Sequence, residues 1–102
     1  HRKKLDQINE RLKLELSDFN IESAFLFGSF LYSENYHDID LLIKTNDSNY
    51  QDIKNTAMSL NKLNEKFSRE LNEKLHISIF SELENSDFEQ FKTKIRSLEK
   101  VI

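Results

Sequence analysis

Apolar residues recur along the chain with two distinct periods, and the switches between them mark out the elements. From Lys3 to about Leu16 the apolar positions are Leu5, Ile8, Leu12 and Leu16. That three- and four-residue spacing, with Lys and Glu on the other face, predicts an amphipathic helix. Ser17, Asp18 and Asn20 punctuate its end. Ser23-Ala24-Phe25-Leu26-Phe27 is short, apolar and aromatic, and it stops at Gly28, as a buried strand does. Ser29 to Ser33 fits a short helix after the turn. From Asp38 to Lys44 the period is two: Ile39, Leu41 and Ile43 take one face, Asp38, Asp40 and Leu42 the other. Asn46 to Asn49 forms a polar turn and helix-cap cluster. Ile53, Ala57, Leu60, Leu63, Phe67 and Leu71 then predict a long helix over Tyr50–Asn72. Leu75–Phe80 alternates again, with His76, Ser78 and Phe80 opposite Leu75, Ile77 and Ile79. Ser86, Asp87 and Glu89 read as a cap for a closing helix with Phe88, Phe91, Ile95 and Leu98 as its stripe. The expected fold is α/β (α+β): one domain over residues 1–102, with a small mixed three-stranded sheet packed by helices.

Composition sharpens this picture at two points. The chain has no Pro and a single Gly, where about 7% glycine would be usual. So few breakers favour long helices and strands joined by Asn, Asp and Ser. The lone Gly28 therefore marks a place where a Cβ is not tolerated. The absence of Cys excludes disulfides, thiolate metal sites and a cysteine nucleophile. Hydrophobic residues make up 37% and charged residues 32%, a polar balance, yet eight Phe and three Tyr argue against disorder. No apolar run approaches the ~20 residues of a membrane span, and the expected compartment is the cytoplasm. A net charge of -3 gives no global attraction for nucleic acid, which is not an expected partner. His1-Arg2-Lys3-Lys4 is basic and carries no functional assignment.

The chemistry concentrates in Phe25-Leu26-Phe27-Gly28-Ser29 and, after eight residues, Asp38-Ile39-Asp40. Strand alternation puts the Asp38 and Asp40 carboxylates on one face, where they repel unless a cation lies between them. Hard oxygen ligands with room for phosphate and water suit Mg²⁺. Strand, Gly-Ser turn and short helix together form a phosphate cradle: glycine permits close backbone approach, N–H groups point outward and Ser29 adds a hydroxyl. Taken singly, Gly-Ser is a common turn and Asp-x-Asp is often a solvated strand face or helix cap. Their combination, with the only glycine at the turn, is more specific.

In these residues the chain resembles the minimal nucleotidyltransferases of the DNA polymerase β-type superfamily, whose signature is Gly-Ser, a spacer, then Asp-x-Asp. The likeness runs over nearly the whole chain. It implies that Gly28 and Ser29 contact the triphosphate of a nucleotide, ATP as substrate, and that Asp38 and Asp40 hold Mg²⁺ as catalytic residues. It also implies transfer of AMP to a hydroxyl of a partner protein. Members of the family commonly act as antitoxins that modify a helical HEPN-type ribonuclease toxin. Three departures stand out. The spacer Phe30–His37 is short, it lacks the family's Arg-Gly pair, and the third strand has His76 where the family has a third carboxylate. The nearest acids are Glu73 and Glu82. His76 is open to three readings: a catalytic general base, a metal ligand, or a polar residue of a site that has lost activity. The last corresponds to a non-catalytic module that binds nucleotide or a partner protein. His37 reads as an exposed loop residue, and Tyr32 and Tyr36 either flank the nucleotide or pack. Lys54, Lys62, Lys66, Arg69 and Lys74 are interleaved with acids and read as a solvated helix face. Lys92, Lys94, Arg96 and Lys100 make a denser basic cluster on the expected last helix, suited to an acidic partner or a nucleic acid. Addition to nucleic-acid ends is disfavoured by the acidic pI of about 5.6 and the short chain.

Overall fold

The computed structural model describes residues 1–102. Helix α1 (Arg2–Leu16) leads into strand β1 (Ile21–Phe27), a 3-10 turn (Ser29–Leu31) and strand β2 (Ile39–Thr45). Helix α2 (Tyr50–Leu71), strand β3 (Leu75–Phe80), a second 3-10 turn (Glu82–Glu84), helix α3 (Asn85–Thr93) and strand β4 (Glu99–Lys100) follow. The sheet order is β3-β2-β1-β4. β1 is antiparallel to both neighbours, whereas β3 runs parallel to β2. A parallel pair needs a long crossover, and α2 supplies it. Asn49 caps α2 by accepting from the Asp52 N–H at 2.9 Å. At the other end Asn72 takes the left-handed conformation, φ 53°, that glycine usually fills.

Alternation along each strand sorts the side chains onto two faces. One face contributes Ala24, Leu26, Ile39, Leu41, Ile43 and Leu75 to the core, which α1 closes with Leu5, Ile8, Leu12 and Leu16 and α2 with Leu60, Leu63 and Phe67. Ion pairs stitch the two helices: Lys66 Nζ lies 2.9 Å from Glu15 Oε1, and Arg11 Nη2 lies 2.6 Å from Glu70 Oε1. On the opposite face α3 covers one half of the sheet. Its Phe91 meets Phe27 and Phe80 edge-on or tilted at 5.7 and 5.4 Å, and Phe88 meets Phe80 at 5.9 Å. The buried Lys44 crosses this layer, donating to Glu22 Oε2 at 2.8 Å and Asn85 Oδ1 at 3.2 Å with its ammonium over the Phe88 ring.

The mixed sheet packed by helices is the expected fold class, with corrections near residue 81 and beyond residue 93. The cap is Ser81 with Glu84, a reciprocal capping box, rather than Ser86-Asp87. The closing helix ends at Thr93, so Ile95 and Leu98 are not part of it. The Lys94 N–H and Ile95 N–H donate three residues back, to Phe91 and Lys92, and the ladder stops there. The chain then returns to β1 as a fourth strand: the Val101 N–H donates to the Ala24 carbonyl at 2.8 Å, and Val101 is buried. Asn9 of α1 holds the new strand by donating to the Lys100 carbonyl at 3.0 Å. The expected basic cluster therefore does not share a helix. Lys92 lies on α3, over Phe88 and Phe25, while Lys100 lies on β4.

Candidate active site

The uncovered half of the α3-side face carries the residues picked out by their chemistry. Strand register sets Phe27 opposite Asp40 and Asp40 beside His76, so these three form one row across β1, β2 and β3. Gly28 follows Phe27 at φ +82°, ψ −166°. That conformation disfavours any side chain. Space forbids one as well: a Cβ at Gly28 would collide with Asp40 Oδ2 and lie 3.0 Å from its Cγ. The only glycine is thus the seat on which the Asp40 carboxylate rests. Ser29 is exposed at the start of the following turn, which Phe30 anchors in the core. The turn closes through the Leu31 N–H to Gly28 and the Tyr32 N–H to Ser29, at 3.1 and 3.0 Å. Its first N–H groups, those of Ser29 and Phe30, have no partner inside the turn.

Asp38 sits in a bend one residue before β2, half-exposed, so the strand starts at Ile39 rather than at Asp38. The Ile39 N–H, donating to the Lys74 carbonyl at 2.8 Å, fixes the end of the parallel pair beside it. His76 Nδ1 lies 3.1 Å from Asp40 Oδ1, with the histidine side chain 67% exposed and the aspartate 23%. An ionised carboxylate only accepts hydrogen bonds, so this contact assigns the proton to Nδ1. In that tautomer Nε2 keeps its lone pair. Asp40 is shared between two neighbours, Oδ1 towards His76 and Oδ2 over Gly28.

The other candidates fall elsewhere. Glu73 accepts from the Tyr36 hydroxyl at 2.6 Å and pairs with Lys4 at 3.1 Å, so it is occupied in packing. Burial, and then the hydrogen bond to Glu73, push the Tyr36 phenol above its ordinary value, with Lys4 opposing. Tyr36 stacks edge-on against Phe30 at 4.7 Å, whereas Tyr32 and His37 are exposed. Glu82 opens the 3-10 turn beyond the far end of β3. No group of three or more His, Cys, Asp or Glu side chains is arranged to hold a metal. Asp38 and Asp40 still offer the hard oxygen donors that a divalent cation takes, and Asp40 lies against a backbone turn where a Cβ would collide with it. Phe27, the third member of the row, lies under Phe91 of α3, so the open part of the row is Asp40 and His76. The clefts lined by Asp18, Asn20 and Ser59, or by His1, Lys4 and Tyr36, share no residue with this row. The site is an open ledge.

The mixed sheet thus sets the Gly-Ser turn beside the strand that follows Asp38. The family model described as "Nucleotidyltransferase domain" matches residues 5–102, and the chain belongs to that family. Membership bears out the superfamily resemblance and assigns nucleotidyl transfer from a nucleoside triphosphate as the general activity, for which the superfamily typically uses a divalent metal. No curated protein and no solved structure matches the chain. No helix is long and apolar enough to cross a membrane.

Proposed function

We propose that residues 1–102 form one Mg²⁺-dependent nucleotidyltransferase domain that moves AMP from ATP onto a hydroxyl of a partner protein. The observation that carries this reading is the fit of Asp40 over Gly28, which joins the carboxylate and the Gly-Ser turn into one surface. In it Asp38 and Asp40 hold the metal, and Gly28 and Ser29 take the phosphates. Bound there, Mg²⁺ would neutralise the triphosphate and the charge that develops on it. The acceptor oxygen forms a bond to the α-phosphorus, the bond from that phosphorus to the bridging oxygen breaks, and pyrophosphate leaves. The acceptor proton goes to His76 Nε2, the nitrogen left unprotonated by the contact with Asp40. The resemblance to minimal nucleotidyltransferases supports an antitoxin role, with a HEPN-type toxin as acceptor.

Calorimetric titration of ATP with and without Mg²⁺ tests the site. Wild type should bind with metal, and an Asp38→Asn/Asp40→Asn double variant should lose that binding; a folded wild type that binds no nucleotide would sink the proposal. A second reading has its own support. His76 takes the position of a carboxylate and occupies Asp40 Oδ1, and Glu73 is held by Tyr36 and Lys4. These favour a module that binds nucleotide or partner without turnover. Pyrophosphate release and an AMP adduct on the partner, followed by mass spectrometry, separate the two.

A further inference from the structure

β3 is an outer strand of the sheet, and its outer edge is bare. Backbone groups of successive strand residues point alternately to the two sides. The Lys74 carbonyl accepts from Ile39 of β2, so Lys74 faces inward. Leu75 faces outward, and Asn64 of α2 clips both its groups, at 2.9 Å to the N–H and 2.8 Å to the carbonyl. The next outward residues are Ile77 and Ile79, whose N–H and carbonyl groups find no partner in the chain. Edge strands are ordinarily blunted by Lys, Pro, a bulge or a cover. Leu75-His76-Ile77-Ser78-Ile79-Phe80 has no Pro, Lys, Arg or acid, and its register with β2 runs unbroken from Leu75 to Phe80.

We infer that this edge pairs with the same edge of a second copy, antiparallel, about a twofold axis at Ser78. An antiparallel pair whose groups face each other exchanges two hydrogen bonds. This axis sets Ile77 against Ile79 of the second copy and Ile79 against its Ile77, which satisfies every free group. An axis at Ile77 would set Ile79 against Leu75, whose groups Asn64 already holds. An axis at Ile79 would set Ile77 against Ser81, whose N–H donates to Glu84. The Ser78 axis also aligns charge. Lys74, one residue before β3, comes to the end of the second copy's strand where Glu82 opens the 3-10 turn, twice by symmetry, and both side chains are exposed. On the site face it sets His76 beside Phe80 of the second copy. Two open ledges then lie on the same side of one continuous eight-stranded sheet, each walled by the other chain. The inference uses only the edge and its charges and stands whether or not nucleotide is bound.

Sedimentation of the wild type over a concentration series should resolve a species of twice the 12.2 kDa of one chain. Lys74→Glu and Glu82→Lys should each weaken dimerisation about tenfold by facing like charges across the strands, and the double reversal should restore it. Because the chain has no cysteine, Ser78→Cys offers a direct probe. Opposite residues on the axis come within disulfide reach. Mild oxidation should therefore link this variant into a dimer and leave Ser59→Cys, on the exposed side of α2, monomeric. A wild type that stays monomeric at every concentration overturns the inference. So does a dimer indifferent to all three charge variants, or equal cross-linking of the two cysteine variants.

Discussion

The two halves of the α3-side face of the sheet are built on opposite principles. Under α3 the one buried charge is paired: the Lys44 ammonium meets Glu22, Asn85 and the Phe88 ring. At the other end of β2, Asp38 just before the strand makes no side-chain hydrogen bond, Asp40 lies over a glycine, and His76 of β3 is two-thirds exposed. Paired groups and aromatic contacts hold a fold together. Half-exposed carboxylates beside a glycine turn do little for it and mark the part of the face that serves something else.

Substitutions should split along this line, and the largest stability effect belongs to the covered half. Phe88→Ala removes the buried side chain that α3 sets against Phe80 and Lys44, and should cost about 3 kcal/mol or more in urea denaturation. Nucleotide affinity of the folded fraction should be retained. Gly28→Ala comes next, at about 1–3 kcal/mol for a side chain held at positive φ. It should also abolish nucleotide binding, because the added Cβ displaces Asp40; unchanged binding would show that the seat under Asp40 is unnecessary. Smaller again is a change remote from both halves. The hydrogen bond from Lys66 holds the Glu15 carboxyl below its ordinary value of 4.5, against burial and with help from Arg11. Its contribution to stability is therefore full above that value and lost as the pH falls through the lowered one. Glu15→Gln should flatten the acid limb of a stability profile below about pH 4.5 and leave nucleotide binding alone. The smallest effect on stability should come from Asp38→Asn, within about 0.5 kcal/mol of wild type or slightly stabilising. Metal-dependent nucleotide binding should nonetheless be lost. A substantial loss of stability there would show that Asp38 serves the fold after all.

What could be read along the chain was local. β3 has its expected bounds because strict alternation over six residues fits no helix, and α2 matches its expected bounds within a residue because its stripe persists for about five turns. Gly28 stood out because no other glycine competes with it, and the alignment of His76 with Asp40 follows from counting along two strands. What could not be read depends on distant partners. β4 is two residues long and is defined by hydrogen bonds to β1, while Phe88, Phe91, Ile95 and Leu98 keep a helical spacing past the point where the helix stops. Lys44 looks like an exposed strand end until Glu22 and Asn85 are brought to it. The Ser81-x-x-Glu84 cap was present in the sequence, and its neighbour Ser86 masked it.

The short β4 also has a consequence in time. β1, which leads into Gly28, gains its second neighbour only when residues from the far end of the chain reach it, Lys100 beside Phe25 and Glu99 beside Leu26. Contacts of such separation form late, because a long loop must close first. On a ribosome the strand that carries the Gly-Ser turn stays one-sided until the last of these residues has left the exit tunnel. A stalled or truncated nascent chain would display that edge of β1, with a finished Asp-x-Asp strand on its other side.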